Sequence, residues 1–189
     1  MTLKLKVITG STRPGRKGPK VAEWVNAAAR EHGGFEVEAV DLADFNLPLL
    51  DEASHPAAQD YEHEHTKRWS AVIDDADAFV FVTPEYDFFA PASLINAVQF
   101  VFKEWGYKAA GIVSYGGVSG GLRSAETLRH ILMNVGVMPI PQVVPAPFFT
   151  GFIDDDGVFE PNDEMRKGAT GMFTELQKWA AALKPLRNG

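Results

Sequence analysis

The chain opens on an alternation of apolar and polar residues, Leu3 to Thr9, which predicts a β-strand. A helix is predicted next, with Gly18 as its cap and Pro19 in its first turn, and the pair Gly33-Gly34 ends it. Strand-like and helix-like segments then alternate to the end. The further predicted strands are Phe35 to Leu42, Ala78 to Val82, a strand centred on Gly111 to Val113, and Val137 to Val144. The further predicted helices are Tyr61 to Asp74, Pro91 to Glu104, one marked by Ala125, Leu128, Ile131, Leu132 and Val135, and a last one marked by Met172, Phe173, Leu176, Trp179 and Leu183.

This order predicts an α/β fold with a parallel sheet and helices on both of its faces. Ala78 to Val82 is apolar throughout, as expected for a strand covered on both sides. Pro139 and Pro141 make the fifth strand an edge or interrupted strand. A loop is predicted from Ala43 to Asp60, and a small hairpin around Asp154 to Gly157. With no repeat or linker, residues 1–189 are predicted to form a single domain.

Composition narrows the classes of function. Of the 189 residues, 46% are hydrophobic and 23% charged, which is typical of globular proteins. A net charge of −7 argues against nucleic acid as a partner. The absence of cysteine excludes disulfides and thiol nucleophiles. The N-terminus lacks the order of a signal peptide and no apolar run could cross a bilayer, so we expect a cytoplasmic protein without a membrane partner.

The stretch from Gly10 to Gly18 has the layout of a phosphate-binding loop, because it joins a strand to the start of a helix. Ser11 and Thr12 supply hydroxyl donors, and Arg13 can pair with a phosphate group bidentately. The stretch fits neither the ATPase loop nor the dinucleotide fingerprint. An ordinary capped loop with solvated cations is the alternative. The loops after the first, third and fourth strands belong at one edge of the sheet, where α/β proteins bind ligands, and this favours a phosphate site.

Three stretches together resemble the NADPH-dependent FMN reductase family. They are Gly10-Ser11-Thr12-Arg13-Pro14-Gly15-Arg16, then Pro84-Glu85-Tyr86-Asp87 with Pro91, Leu94, Asn96 and Ala97, and Ser114-Tyr115-Gly116-Gly117-Val118-Ser119-Gly120-Gly121-Leu122-Arg123. The resemblance implies a flavodoxin-like three-layer sandwich with strand order 2-1-3-4-5. It also implies bound FMN and hydride transfer from NADPH or NADH to quinones, azo compounds, metal oxyanions or free flavin.

The same resemblance implies the residues of an FMN site, with the chemistry on the flavin and no catalytic side chain or metal. Ser11, Thr12, Arg13, Lys17 and Gly18 would hold the phosphate. Pro84, Glu85, Tyr86 and Asp87 would line the isoalloxazine ring. The loop that begins at Ser114 would approach the pyrimidine edge of the ring through the backbone of Tyr115, Gly116 and Gly117. The family usually has Asn where this chain has Asp87, which puts that contact and the flavin potential in question.

Other patterns in the sequence suggest different chemistry. Gly117 to Gly121 matches the nucleophile elbow of serine hydrolases, but only His130 follows Ser119 and every later Asp comes after that histidine, so the triad order fails. His63 and His65 could suggest a metal site, although a solvated helical segment is favoured. The turn at Asp154 to Gly157 lacks the spacing of a calcium loop. Arg123 is either a surface charge or a contact for the nicotinamide phosphate.

Two questions of function stay open from the sequence. A flavodoxin-type electron carrier or flavin-binding module would share the fold and cofactor without a nicotinamide reaction, and the cations Arg13, Arg16 and Lys17 favour the reductase instead.

The predicted helix from Pro91 to Glu104 has a wide apolar arc, with Phe100 lying outside it. Because surplus apolar surface usually marks an interface, we expect a homodimer or homotetramer built on this helix.

Overall fold

A five-stranded parallel sheet forms the centre of the computed structural model, which describes residues 2–188. The strands are β1 (Leu3–Thr9), β2 (Phe35–Asp41), β3 (Ala78–Pro84), β4 (Lys108–Gly116) and β5 (Val137–Pro147). Their order is β2-β1-β3-β4-β5, and every neighbouring pair is parallel. The fold class and strand order predicted above are therefore confirmed.

Helices cover both faces of the sheet. They are α1 (Gly18–His32), α2 (Glu64–Asp75), α3 (Ala92–Phe100), α4 (Leu122–Asn134) and α5 (Asp163–Leu183). One core lies between the sheet and α1 with α5, and the other lies between the sheet and α2, α3 and α4. Strand β3 supplies both cores in alternation: Val80 faces the first and Phe81 the second. This double burial explains its uninterrupted apolar sequence.

The helix predicted from Pro91 to Glu104 is shorter than its apolar period indicates. Helix α3 ends at Phe100, Val101 is extended, and a separate 3-10 turn covers Lys103–Trp105. Phe100 is fully buried against His65, with ring centroids 5.7 Å apart. The argument that Phe100 adds exposed apolar surface is therefore wrong, because this side chain is already used inside the chain.

Strand β5 extends beyond the predicted end at Val144, through Pro145 and up to Pro147. Strand β5 lies at one edge of the sheet, so one side of its backbone has no neighbouring strand. A proline whose nitrogen is on that side removes no hydrogen bond of the sheet. A register shift opposite Ala110 to Ile112 separates its two paired stretches. The extension matters because it carries the segment after β5 to the same edge of the sheet as the loops after β1, β3 and β4.

The connections differ from expectation in smaller ways. Helix α2 begins at Glu64 rather than Tyr61, and the predicted loop from 43 to 60 holds short 3-10 turns at Leu42–Phe45 and Pro56–Ala58. The predicted small hairpin is present, with an antiparallel bridge between Ile153 and Phe159. No helix within residues 2–188 has both the length and the apolar character needed to span a membrane.

Candidate functional site

A cavity of about 480 Å³ lies at the carboxyl edge of the sheet. Four segments form its walls, one after each of β1, β3, β4 and β5. The lining residues are Arg13, Gly15, Arg16, Lys17, Pro84, Glu85, Tyr86, Tyr115, Gly116, Gly117, Phe148, Phe149 and Thr150. Its position agrees with the rule that ligands of open α/β sheets bind outside the carboxyl ends of the strands, and its size is within the range of small-molecule sites.

Most of the predicted site residues meet in this cavity. Those that line it are Arg13, Lys17, Pro84, Glu85, Tyr86, Tyr115, Gly116 and Gly117. Those that lie behind or beside it are Ser11, Thr12, Gly18, Asp87 and Ser114. Of this second group, Ser11 and Ser114 are fully buried and shape the loops from behind, whereas Thr12 and Asp87 are exposed outside the walls.

The cations of the loop after β1 divide into two kinds. Arg16 forms a two-point ion pair with Asp41 at the end of β2, with nitrogen–oxygen distances of 2.7 and 2.8 Å, and also donates to the carbonyl of Ser11. It therefore fixes the loop and is not a free charge, contrary to the interpretation that grouped it with the others. Arg13 and Lys17 pair with no acidic side chain among residues 2–188, and both face the cavity at the start of α1. The cavity therefore has uncompensated positive charge at its helical end.

Two buried serines hold the loops in place through their hydroxyl groups. Ser11 Oγ and Tyr86 Oη are hydrogen-bonded at 2.8 Å, which links the loop after β1 to the segment after β3. Ser114 Oγ donates to the carbonyl of Gly120 at 2.9 Å and so closes the loop after β4. Gly121 completes this closure at φ +82°, where an added Cβ would lie 2.7 Å from the backbone nitrogen of Tyr115.

Glu85 turns its carboxylate away from the cavity and onto the start of α4. It accepts hydrogen bonds from Ser119 Oγ at 2.9 Å, from the backbone N–H of Arg123 at 3.1 Å and from Arg123 Nη1 at 3.0 Å. A carboxylate is stabilised there by the unpaired N–H groups and partial positive charge of a helix N-terminus. Glu85 thus ties the segment after β3 to the loop after β4 and leaves its backbone at the cavity wall.

The segment after β3 ends in a two-residue turn. Tyr86 and Phe89 exchange both backbone hydrogen bonds, at 3.0 and 2.9 Å, and the central residues Asp87 and Phe88 have φ of +48° and +71°. This is the pattern of a type I′ turn, in which Asn and Asp are favoured at the first central position. The guanidinium of Arg123 lies 4.0 Å from the centroid of the Phe88 ring, so the cation is held by Glu85 and Phe88 together.

The opposite wall contains three residues that the sequence analysis missed, Phe148, Phe149 and Thr150. The backbone N–H of Phe148 donates to the carbonyl of Gly117 at 3.1 Å, which joins this segment to the loop after β4. Phe148 is 64% exposed, and an added Cβ on Gly117 would meet no atom within 4 Å. The sequence signal that could have found them is the aromatic pair Phe148-Phe149 directly after a strand, provided that the predicted strand is extended past its prolines.

The rival sites are not assembled. Ser119 bonds to Glu85 and Gly121, and His130 is exposed on α4, so no serine triad forms among the described residues. His63 and His65 do stack, with centroids 5.2 Å apart, because His63 precedes the helix instead of lying within it. No group of three or more His, Cys, Asp or Glu side chains in residues 2–188 is arranged to hold a metal ion.

Comparison with known proteins identifies the class. The sequence pattern of the family described as NADPH-dependent FMN reductase matches residues 3–151. The chain therefore belongs to this family of FMN-dependent, NAD(P)H-using oxidoreductases, and the predictions of the family, the cofactors and an enzyme are confirmed. An electron carrier without a nicotinamide reaction is correspondingly disfavoured.

Individual relatives agree with this class. The chain is 36% identical over 192 residues to the NAD(P)H-dependent FMN reductase C4B3.06c of Schizosaccharomyces pombe, covering 98% of this chain and 96% of that protein. It is 30% identical over 162 residues to an NAD(P)H:quinone oxidoreductase of Solanum tuberosum, covering 80% and 78%. Among solved structures, the flavoenzyme NAD(P)H:(acceptor) oxidoreductase FerB of Paracoccus denitrificans shares the fold with a TM-score of 0.74 at 20% identity, covering 95% and 98%.

Proposed function

We propose that this protein holds FMN in the cavity at the carboxyl edge and uses NADPH or NADH to reduce a quinone. One observation carries the proposal. The same cavity is lined at one end by Arg13 and Lys17, which have no acidic partner among residues 2–188, and at the other by Gly116 and Gly117, which have no side chain. A phosphate group and a flat ring require these two environments side by side.

The phosphate end rests on charge and on helix geometry. At the start of α1 Pro19 has no N–H and the N–H of Lys20 donates to the carbonyl of Lys17, which leaves the backbone N–H groups of Lys17 and Gly18 without a partner among residues 2–188. The side chain of Lys17 makes no cap hydrogen bond. A dianionic phosphate would satisfy these donors and the charge of Arg13 and Lys17 together. Arg16 remains paired with Asp41 and stabilises the conformation of the loop. In this proposal Ser11, Thr12 and Gly18 support the phosphate loop from behind or beside the cavity.

The ring end rests on the walls formed by the loops after β3 and β4. Pro84, Glu85 and Tyr86 supply one wall, largely through their backbone, and Gly116 and Gly117 supply the other. The isoalloxazine ring of bound FMN supplies the hydride chemistry, so the protein needs only to position it and to leave one face open. Phe88 and Phe148 are 61% and 64% exposed, beside and within the cavity wall, and offer apolar surface to a flat second substrate.

A quinone is the proposed acceptor because it is flat and apolar, as that aromatic rim requires. The Solanum tuberosum relative is named for quinone reduction, and a relative from Staphylococcus saprophyticus, 26% identical over 162 residues, is named an FMN-dependent NADPH-azoreductase. Azo compounds are therefore a competing acceptor to assay, together with the metal oxyanions and free flavin that the family resemblance implies. The cytoplasmic location and the homodimer or homotetramer stay predictions alongside this proposal.

The phosphate assignment is tested by Arg13→Ala. Loss of a charged hydrogen-bond donor should weaken FMN binding by roughly 1.5–3 kcal/mol, which is about ten- to a hundredfold in Kd. Fluorescence titration of FMN and of riboflavin into the flavin-free protein measures this. Lys20→Ala is the matched control, because Lys20 is a cation on α1, the helix that follows the loop of Arg13, and it pairs with Glu23 and lies outside the cavity.

Riboflavin lacks the phosphate, so it should bind wild type, Arg13→Ala and Lys20→Ala with the same affinity. Equal FMN affinity in all three proteins would show that Arg13 does not bind the phosphate group. The reaction itself is tested by anaerobic bleaching of the FMN-loaded protein with NADPH and, separately, NADH, followed by addition of a benzoquinone. Bleaching without reoxidation by the quinone would reject the proposed acceptor, and no bleaching by either nucleotide would reject the reductase.

A further inference from the structure

Tyr115 is a predicted site residue whose side chain takes a direction that the sequence did not suggest. It is the penultimate residue of β4, where its carbonyl accepts from the N–H of Glu85 at 3.1 Å and its backbone pairs with Ala146 in β5. Its backbone therefore belongs to the sheet. Its side chain lies on the face covered by α1 and α5, with the ring centroid 4.7 Å from that of Phe149. Tyr115 is among the residues that line the cavity.

The hydroxyl group reaches the first turn of α1. A Cβ added to Gly18 would lie 2.3 Å from Tyr115 Oη, so only glycine at this position leaves room for the oxygen. Gly18 is the first residue of α1, a helix of 15 residues. In its first turn Pro19 has no N–H and the N–H of Lys20 donates to the carbonyl of Lys17 at 3.1 Å, so the backbone donors left without a partner among residues 2–188 are the N–H groups of Lys17 and Gly18. Tyr115 Oη thus lies beside the helix N-terminus that faces Arg13 and Lys17.

This oxygen is buried and has no hydrogen-bond partner among the described residues. Tyr115 is only 3% exposed. The hydroxyl group of Ser11 lies close enough to lower the pKa of Tyr115. Ser11 Oγ is, however, bonded to Tyr86 Oη at 2.8 Å, and its contact with Tyr115 Oη does not have the distance and angle of a regular hydrogen bond. A buried hydroxyl without a partner costs free energy, so its retention beside an anion-binding helix end points to a ligand that satisfies it.

The hydroxyl can act only as a donor to such a ligand. Burial, reinforced by the neighbouring Tyr86, raises the pKa of Tyr115 well above its ordinary value, and the phenol therefore stays protonated at neutral pH. An anion with free acceptor oxygens is the partner that a helix N-terminus, two cations and an O–H donor would bind in common.

We propose that Tyr115 Oη donates a hydrogen bond to the phosphate group of the bound flavin nucleotide, from the strand side of the loop after β1. This inference rests on the proposed function and deepens it. It moves Tyr115 from the pyrimidine edge of the ring, where the sequence placed its backbone, to the phosphate end. The contact makes Tyr115 a residue that distinguishes FMN from riboflavin.

The test is Tyr115→Phe, which removes one oxygen and keeps the ring against Phe149. FMN affinity should fall about tenfold or more, because the lost hydrogen bond is to a charged group. Riboflavin affinity should change less than twofold. The melting temperature of the flavin-free protein should stay the same or rise, since the variant has lost a buried hydroxyl that had no partner. Inorganic phosphate should raise the melting temperature of wild type more than that of Tyr115→Phe.

Tyr61→Phe is the matched control, because the hydroxyl of Tyr61 is satisfied by Glu104 Oε1 at 2.9 Å and lies on another part of the fold. It should lower the stability of the flavin-free protein and leave FMN affinity unchanged. Three results would overturn the inference: FMN affinity unchanged in Tyr115→Phe, an equal loss for riboflavin, or a lower melting temperature of the flavin-free variant, which would assign the hydroxyl to Ser11. Wild type that binds FMN no better than riboflavin would instead overturn the proposed phosphate site itself.

Discussion

The two edges of the sheet both carry a cavity and a cluster of cations, yet they use them differently. The cavity at the amino edge, near the start of β4, is the larger, at about 850 Å³ against about 480 Å³ at the carboxyl edge. Size alone would therefore choose a different cavity from the one in which we propose that the flavin binds. The edges differ in whether their polar groups are already satisfied within the chain.

At the amino edge, the buried charges within the described residues are matched by neighbours. Asp77 is 5% exposed and accepts from Lys184 Nζ and Arg187 Nη2, both at 2.7 Å, and from the N–H of Lys4 at 2.9 Å. Lys108 Nζ donates to the carbonyl oxygens of Ile73 and Asp74, and burial lowers its pKa to about 8. These groups connect the C-terminal segment to β1, α2 and β4.

At the carboxyl edge, by contrast, several groups are left without partners in the chain. Arg13 and Lys17 face the cavity without an acidic partner among residues 2–188, and Tyr115 Oη has none of any kind. Since an unmet polar group costs stability, it indicates binding more directly than volume does. The difference also separates the expected effects of mutation: the amino edge should control stability, and the carboxyl edge should control ligand affinity.

The largest expected effect is at the amino edge, for Asp77→Ala. The change leaves Lys184, Arg187 and the N–H of Lys4 without their shared acceptor. Breaking a buried ion pair costs about 3 kcal/mol or more, and partial exposure of the two cations reduces this to about 2–3 kcal/mol. Denaturant unfolding of the flavin-free proteins measures it. FMN affinity should stay within twofold of wild type, and a large loss of affinity would contradict the division between the edges.

The pH dependence provides a second measurement of the same variant. Burial raises the pKa of Asp77, but hydrogen bonds from Lys184, the Lys4 N–H and Arg187 outweigh it and hold the pKa below its usual value. A depressed folded pKa gives stability that is present above the unfolded value, about 3.9, and is lost as the pH falls through the folded value. The stability gap between wild type and Asp77→Ala should therefore narrow below about pH 4. A constant gap would mean that charge is not its source.

An intermediate effect is expected within the loop after β1, where a paired and an unpaired cation are neighbours. Arg16→Ala breaks the two-point pair with Asp41 and should cost about 1–2 kcal/mol of unfolding free energy. Lys17→Ala removes an exposed charge without an acidic partner and should leave stability within about 0.5 kcal/mol. It should weaken FMN binding a few-fold and reduce the salt dependence of that binding. Equal stability losses in the two variants would contradict the distinction between them.

The fold was predictable because its signals are local and redundant. The apolar run of β3 follows from the burial of this strand on both faces, so the sequence pattern identifies it directly. The alternation of β1 also identifies a strand, although its polar residue Lys6 is buried and pairs with Glu38 and Asp75. The sequence predicts the end of β5 too early, at Val144, because a proline such as Pro145 usually ends a strand. On an edge strand the missing N–H of proline is tolerated, and β5 continues to Pro147. Because of this one wrong boundary, the predicted site does not include Phe148 and Phe149.

The site was less predictable because its details depend on residues far apart in the chain. Glu85 contacts Ser119 and Arg123, 34 and 38 positions away, so no local pattern shows that its carboxylate points to α4. Arg16 is paired, whereas Lys17 in the same loop is not, because Arg16 contacts Asp41, which lies at the end of another strand. Tyr115 similarly depends on a glycine almost a hundred residues earlier in the chain.

The smallest effect is expected for Asp87→Asn, where this chain departs from the Asn usual in the family. Asp87 is exposed at φ +48° in the turn between Tyr86 and Phe89, and it is absent from the cavity wall. Asn and Asp both suit that backbone conformation, so the exchange should not disturb the turn. A carboxylate in solvent acts weakly at a distance, because water and salt screen its field. Potentiometric titration should therefore give the same flavin midpoint for both proteins. A rise of about 30 mV in Asp87→Asn, equivalent to about 1.4 kcal/mol for two electrons, would instead place the carboxylate at the ring.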